Sequence, residues 1–139
     1  MSYLFDTTVV SEWVKPHPNR GVVDWLASVD EDETYLSVVT ITELRYGIER
    51  MIAGNRRRRL DEWLREELLS RFEGRVIPVD TAIADACGRL VARNQVLGRP
   101  IEPRDAFIAA TAEVYRLMLV TRNTSDFQPT LKTIFSPWS

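Results

Sequence analysis

The sequence predicts an α/β protein with a mainly parallel central sheet flanked by helices on both faces. Two features predict it. Short apolar runs of strand length occur at Tyr3-Leu4-Phe5, Tyr35–Val38 and Leu117–Thr121, and the longer segments between them carry apolar residues at helical spacing. Strands that alternate with helices pair in parallel, because each crossover returns the chain to the same end of the sheet. At 139 residues, 45% hydrophobic and 27% charged, the chain has the size and composition of one globular domain, 1–139. No internal repeat, low-complexity segment or linker divides it.

Taken in order, residues 2–6 read as a short buried strand ending at Asp6. A helical stretch follows to about Val14 and is closed by Pro16 and Pro18. A second helix is expected from Arg20 to Val29, with Val22, Val23, Leu26 and Val29 at helical spacing, and the acidic run Asp30–Glu33 reads as a solvated loop. Residues 35–38 form the next strand. From Thr40, the residues Ile41, Leu44, Ile48 and Ile52 line one face of a helix, and Thr40-Ile41-Thr42-Glu43 fits a capping box. A helix from about Arg56 to Phe72 places Leu60, Trp63, Leu64, Leu68 and Phe72 inward, and Arg75–Val79 is a brief extended segment. Asp80 caps a long helix that stops at Gly98. Pro103 sits in the first turn of the next helix, which runs to about Tyr115. The unbroken apolar run 117–121 is a strand covered on both faces, and Leu131–Phe135 reads as one more.

Composition narrows the chemistry. The lone Cys87 excludes an intramolecular disulfide and a cysteine zinc cage, and the single His17 excludes a multi-histidine metal site. Any metal would therefore be a hard cation held by oxygen. No apolar stretch approaches the ~18 residues of a membrane helix, and the N-terminus lacks a signal-peptide pattern, so a cytoplasmic location is expected. The formal net charge is −2, but 16 of the 18 basic residues are Arg, with only Lys15 and Lys132 otherwise. That bias is compatible with phosphodiester binding and equally with a GC-rich genome.

Three acids draw attention. Asp6 closes the first strand, Glu43 lies about one helical turn beyond the second, and Asp105 begins the helix leading to the strand at 117–121. Ligands of parallel α/β sheets bind beyond the carboxyl ends of the strands, where Asp6 and Glu43 are expected. Each acid also has an ordinary structural explanation, as an N-cap, a capping-box member or a first-turn acid favoured by the helix dipole. Together, at one rim, they would concentrate negative charge that a cation or protons must neutralise.

Four segments then carry a resemblance: Tyr3-Leu-Phe-Asp-Thr-Thr-Val-Val-Ser-Glu12, Leu36-Ser-Val-Val-Thr-Ile-Thr-Glu-Leu-Arg-Tyr-Gly-Ile48, Asp105-Ala-Phe-Ile-Ala-Ala-Thr-Ala112 and Leu119-Val-Thr-Arg-Asn-Thr-Ser-Asp-Phe127. Their order and separations resemble PIN-domain ribonucleases, above all the VapC and FitB group of type II toxin–antitoxin toxins. The likeness covers essentially the whole chain, to Pro137-Trp138. It implies a PIN-like fold and an endoribonuclease dependent on Mg²⁺ or Mn²⁺. The same resemblance implies a cognate antitoxin that covers the site and a homodimeric assembly. Asp6, Glu43 and Asp105 match the family's catalytic acids, with Asp6 and Asp105 as the metal ligands. A fourth position falls on Asn123 or Asp126. The family's first motif usually reads Asp-Thr-Asn; here it is Asp6-Thr7-Thr8, and the Thr8 hydroxyl offers a shorter reach for orienting a carboxylate or a water.

Arg45 and Arg122 are the candidate RNA-phosphate contacts. The run Arg56–Arg59 and Arg65 are further basic candidates, although such runs are commonly solvated helix faces. Trp13, Trp25, Trp63 and Ile52 could serve a protein contact or the core. Two other functions remain in view. A catalytically weak PIN-like module that binds RNA or a regulatory protein partner is the alternative drawn from Thr8 and Asn123. A phospho-accepting receiver domain also uses acids at strand ends, but it needs an acidic pair after the first strand and a Lys after a late one, and neither is present.

Overall fold

The computed structural model describes residues 1–139. Its strands are β1 (Tyr3–Phe5), β2 (Thr34–Ser37), β3 (Val76–Ile77), β4 (Met118–Val120) and β5 (Ile134–Phe135). They form one five-stranded sheet in the order β3-β2-β1-β4-β5, every pairing parallel. From the central β1 the chain builds outward through β2 and β3, then crosses back to lay β4 and β5 on the other side. The direction of winding therefore reverses between β1 and β4, which opens a crevice at their carboxyl ends. Phe5 pairs with Val120 there, so the next residues, Asp6 and Thr121, stand side by side.

Alternation along the strands separates two cores. Leu4 and Leu119 face one layer, with Ile83 and Leu90 of α6 (Thr81–Val96) and Ile108 and Ala109 of α7 (Pro103–Tyr115). Phe5, Leu36 and Val120 face the other, with Val9 and Val10 of α1 (Thr7–Ser11) and Leu44 and Ile48 of α3 (Val38–Glu49). Leu64 and Leu68 join this second layer from the helix that begins as α4 (Asn55–Glu62), widens to a π-helical stretch at Trp63–Leu68 and ends as α5 (Leu69–Arg71). The remaining helices are α2 (Arg20–Ser28) and α8 (Thr124–Phe127). No helix is long and apolar enough to cross a membrane.

Several expected boundaries move for local reasons. Ser37, not Thr40, caps α3: its hydroxyl accepts from Val39 N at 3.0 Å, and the helix starts at Val38. Thr40 is thus inside the helix and buried, and Glu43 is no longer the third residue after the cap. Residue 52 lies beyond the end of α3 and is 92% exposed instead of continuing its apolar face. Asp80 and Pro103 behave as expected: Asp80 accepts from Ile83 N at 2.9 Å, and Pro103 opens α7. The acidic run forms a 3₁₀ turn tied to Arg71 and Ser2 through Glu31 and Glu33. Trp63 is buried, while Trp13 and Trp25 pack half-buried against the second core.

Glu12 is the most deeply buried acid, 2% exposed at the end of the first motif. Asn19 N–H donates to its Oε1 at 2.8 Å, and Lys15 Nζ lies 2.5 Å from Oε2. Burial alone would raise its pKa, but the Asn19 N–H and Lys15 outweigh it and hold the carboxyl below its ordinary value of 4.5. A depressed folded pKa contributes stability that is complete above the unfolded value and is lost as pH falls through the folded one. Glu12→Gln is expected to lower stability at neutral pH by about 1.5–3 kcal/mol. It should also flatten the stability loss below 4.5. Denaturant titrations followed by tryptophan fluorescence across that range test this; equal pH slopes in both proteins would refute it.

Candidate active site at the carboxyl edge of the sheet

Asp6 follows β1 with extended backbone and caps α1. Its Oδ1 accepts from Thr8 N at 2.9 Å, Thr8 Oγ1 at 2.5 Å and Val9 N at 3.4 Å, and its Oδ2 accepts from the Thr121 hydroxyl. The two hydroxyls are themselves oriented, because Thr8 Oγ1 accepts from Arg122 N at 3.1 Å and Thr121 Oγ1 from Asn123 N at 3.0 Å. With a lone pair of each oxygen occupied by a backbone N–H, each O–H is directed at the carboxylate. The result is a two-sided clamp joining the end of β1 to the end of β4. Asp6 is only 8% exposed. Burial, the largest influence, raises its pKa above 3.8, and the hydrogen bonds from Thr121, Thr8 and Val9 offset part of that rise.

Asp105 lies in the first turn of α7 and is half-buried. Burial raises its pKa first, followed by the charges of Asp126 and then Glu43; Arg104 pulls it back, and Asp6 adds a smaller upward push. The four acids thus share one electrostatic neighbourhood. Glu43 projects from α3 toward Arg104, whose Nη1 is 3.6 Å from its Oε1. Asp126, in the short α8, and Asp105 line the same cavity of about 300 Å³. Asn123 precedes α8 and makes no side-chain cap bond; its backbone N–H serves Thr121. Of the two alternatives for a fourth position, Asp126 is the one whose charge acts on Asp105.

The expected phosphate contacts fare differently. Arg45 is turned to the other side of α3, bound to Asp61 at 2.8 Å and Glu49 at 3.5 Å. Those partners compete with any phosphate. Arg122 is exposed, and its positive charge acts on Glu12. Arg57 of the basic run pairs with Glu49, and Arg65 beyond it pairs with Asp61, so these two are already engaged in surface ion pairs. Two residues of the site were not anticipated from sequence. Thr121 is signalled only by strand register, whereas Arg104 could have been flagged as a cation directly beside Asp105.

The donor set suits a hard divalent ion: several carboxylates, no histidine or thiol, and an Asp105 carboxyl raised first by burial and then by the neighbouring charges of Asp126 and Glu43. No three acidic, histidine or cysteine side chains are gathered into a ready-made cage. The chemistry therefore fits an ion that keeps part of its water, as Mg²⁺ does.

Thr8→Val keeps the shape of the side chain and removes the hydroxyl from both Asp6 and Arg122 N. RNA cleavage is expected to fall about 10–100-fold, as for other groups that orient a metal-binding carboxylate. Thr8→Ser should restore most of it. A Thr8→Val protein as active as the parent would remove this residue from the site.

The sequence profile of the PIN domain matches residues 3–128. The chain belongs to the PIN-domain family. This PIN-domain protein is 36% identical over 135 residues to Toxin FitB of Neisseria gonorrhoeae, an alignment covering 97% of both chains. It is 37% identical over 135 residues to VapC ribonuclease Y4jK of Sinorhizobium fredii, covering 97% of this chain and 96% of the relative. The crystal structure of FitAcB from Neisseria gonorrhoeae superposes on it with a TM-score of 0.92 at 36% identity, covering 98% of each chain. The expected PIN-like fold is thereby borne out.

Proposed function

We propose that this protein is a Mg²⁺-dependent endoribonuclease toxin, with Mn²⁺ as an alternative ion, that hydrolyses RNA phosphodiester bonds and is neutralised by a cognate antitoxin. The observation that carries the reading is that Asp126, Glu43 and Asp6 lie near enough to the half-buried Asp105 for their charges to act on it, beside the crevice between β1 and β4. The names of its relatives, a toxin and a VapC ribonuclease, support the same reading. Asp6 and Asp105 would hold the ion by carboxylate oxygen, and Glu43 and Asp126 would assist directly or through water. When bound, such an ion lowers the pKa of a water and offsets charge on the phosphate.

The chain's own groups do the remaining work. Thr8 and Thr121 fix the Asp6 carboxylate so that little reorganisation is needed on binding. Glu43 orients the attacking water, and Arg104, already against Glu43, is available to a phosphate oxygen as a charge-assisted donor. Beside Glu43, a second groove of about 290 Å³ lined by Leu44, Ile48, Met51, Leu60 and Trp63 offers an apolar seat for an antitoxin segment. Homodimerisation and action in the cytoplasm complete the proposal.

The test is cleavage of a labelled RNA by highly purified protein with Mg²⁺, with Mn²⁺ and with excess EDTA. Cleavage that EDTA abolishes and Mg²⁺ restores is expected. RNA binding without cleavage in either metal would favour the second reading, a catalytically weak RNA- or protein-binding module. The lack of a ready-made acid cage is the observation that keeps this reading alive.

A further inference from the structure

The cavity beside Asp105 has a feature the acids do not explain. It opens between the α6–α7 connection and α8, with a volume of about 300 Å³, and its apolar wall is limited to Ile101 and two prolines, Pro100 and Pro129. That volume is at the lower end of small-ligand pockets, on the order of 300–1,000 Å³. Asn94, in the last turn of α6, lines it while only 3% exposed. Its Nδ2 donates to Thr130 Oγ1 at 2.9 Å, which leaves one amide hydrogen and the carbonyl Oδ1 without a protein partner. A polar side chain this buried ordinarily has its hydrogen-bonding capacity satisfied. The remaining amide capacity of Asn94 is not sealed in the interior and is open to whatever enters the cavity it lines.

The other lining groups limit what that is. Glu102 lines the cavity at the start of α7 and makes no cap bond with the helix, and the Asp126 carboxylate faces the same space. With Asn94 Oδ1 these give a surplus of acceptors, so the ligand must bring N–H donors. Arg99, also in the lining, supplies one cation. Arg99 suits a ligand that is anionic in one part and rich in donors in another, and it disfavours a purely cationic one. A nucleotide meets both conditions. Adenine, cytosine and guanine each carry an exocyclic amino group with a pair of N–H donors, whereas uracil has no amino group and offers only its imide N–H.

We propose that this cavity is a base-binding subsite for the RNA nucleotide flanking the scissile phosphate, with Asn94 and Glu102 selecting a base that carries an exocyclic amino group. It rests on the nuclease reading, since Asp105 places the cavity next to the reacting phosphate. Asn94 and Glu102 are here specificity-determining residues with no part in holding the ion.

The test combines two measurements. Cleavage of a set of oligoribonucleotides varied at each position around the cut should show one position where A, C or G is preferred over U by about tenfold, the scale of one to two discriminating hydrogen bonds. Glu102→Gln and Asn94→Ala should each reduce that preference severalfold. Glu102 is exposed, so its variant tests the idea even if Asn94→Ala fails to fold. Independently, titrating AMP and UMP into ¹⁵N-labelled protein should shift the Asn94 side-chain amide with AMP at lower concentration than with UMP. Cleavage with no base preference, or with a preference unchanged in both folded variants, overturns the subsite and leaves the nuclease reading standing. Absence of cleavage with an AMP-selective shift at Asn94 overturns the nuclease reading and keeps the base site. Shifts produced by N-acetyl-arginine amide and not by either nucleotide would assign the cavity to a cationic protein partner and sink the proposal.

Discussion

Asp6→Asn is expected to lower RNA cleavage by about 10²–10³-fold, the loss found when one preorganised charge-stabilising group is removed from an active site. The fold should survive. Asn caps helices as well as Asp does, and its carbonyl can keep the bonds from Thr8 N and Val9 N at 2.9 and 3.4 Å. The exchanged atom is then Oδ2, which becomes an amide that cannot accept from the Thr121 hydroxyl. One hydrogen bond is forfeited, a cost of about 1 kcal/mol. It is offset by removing a buried charge whose pKa is raised by burial. The measurement is single-turnover cleavage of a labelled RNA, with a denaturant titration on the same preparation. Wild-type rates in a folded Asp6→Asn protein would sink the assignment of Asp6, and a rate loss that merely tracks unfolding would leave it unsupported.

A divalent ion should stabilise the protein, and Asp105→Asn should both remove that effect and stabilise the ion-free fold. The sign follows from Asp105, whose carboxyl is raised above 3.8 by burial and by the charges of Asp126, Glu43 and Asp6. An ionised group with a raised pKa is disfavoured in the folded state, and that penalty is absent at low pH and grows as pH rises through the folded value. At neutral pH, either a bound cation or a neutral amide relieves it. For an ion at ten times its dissociation constant, mass action contributes about 1.4 kcal/mol. For a domain of this size that is about 4–7 °C in Tm. Differential scanning fluorimetry with Mg²⁺ or Mn²⁺ and with EDTA reads both effects. An equal ion-induced rise in the parent and in Asp105→Asn would place the ion elsewhere.

The parts of this molecule that local chemistry controls were readable in advance. Asp6, Asp80 and Pro103 each mark a helix start through their own side chain or ring, so the sequence neighbourhood suffices. Ser37 shows how close competition between caps can be: Thr40 satisfies the same pattern three residues later, but the strand ends early enough for Ser37 to act first. For Arg45, spacing says which helix the residue is on and not which partners its long side chain finds, here Asp61 and Glu49. Thr121 and Asn94 were invisible for a different reason. Each acts through a contact far along the chain, Thr121 with Asp6 at a separation of 115 residues and Asn94 with Thr130 at 36. No single window of sequence contains both partners.

That separation of 115 residues between Asp6 and Thr121 also sets when the site can exist. On the ribosome, the first acid emerges almost at once, but the strand that completes its clamp is among the last to leave the exit tunnel. Until β4 docks against β1, Asp6 keeps its bonds from Thr8 and Val9 but lacks the one from Thr121, and the Thr8 hydroxyl lacks the Arg122 N–H that orients it. Any product of premature termination before residue 121 therefore lacks the assembled clamp around Asp6.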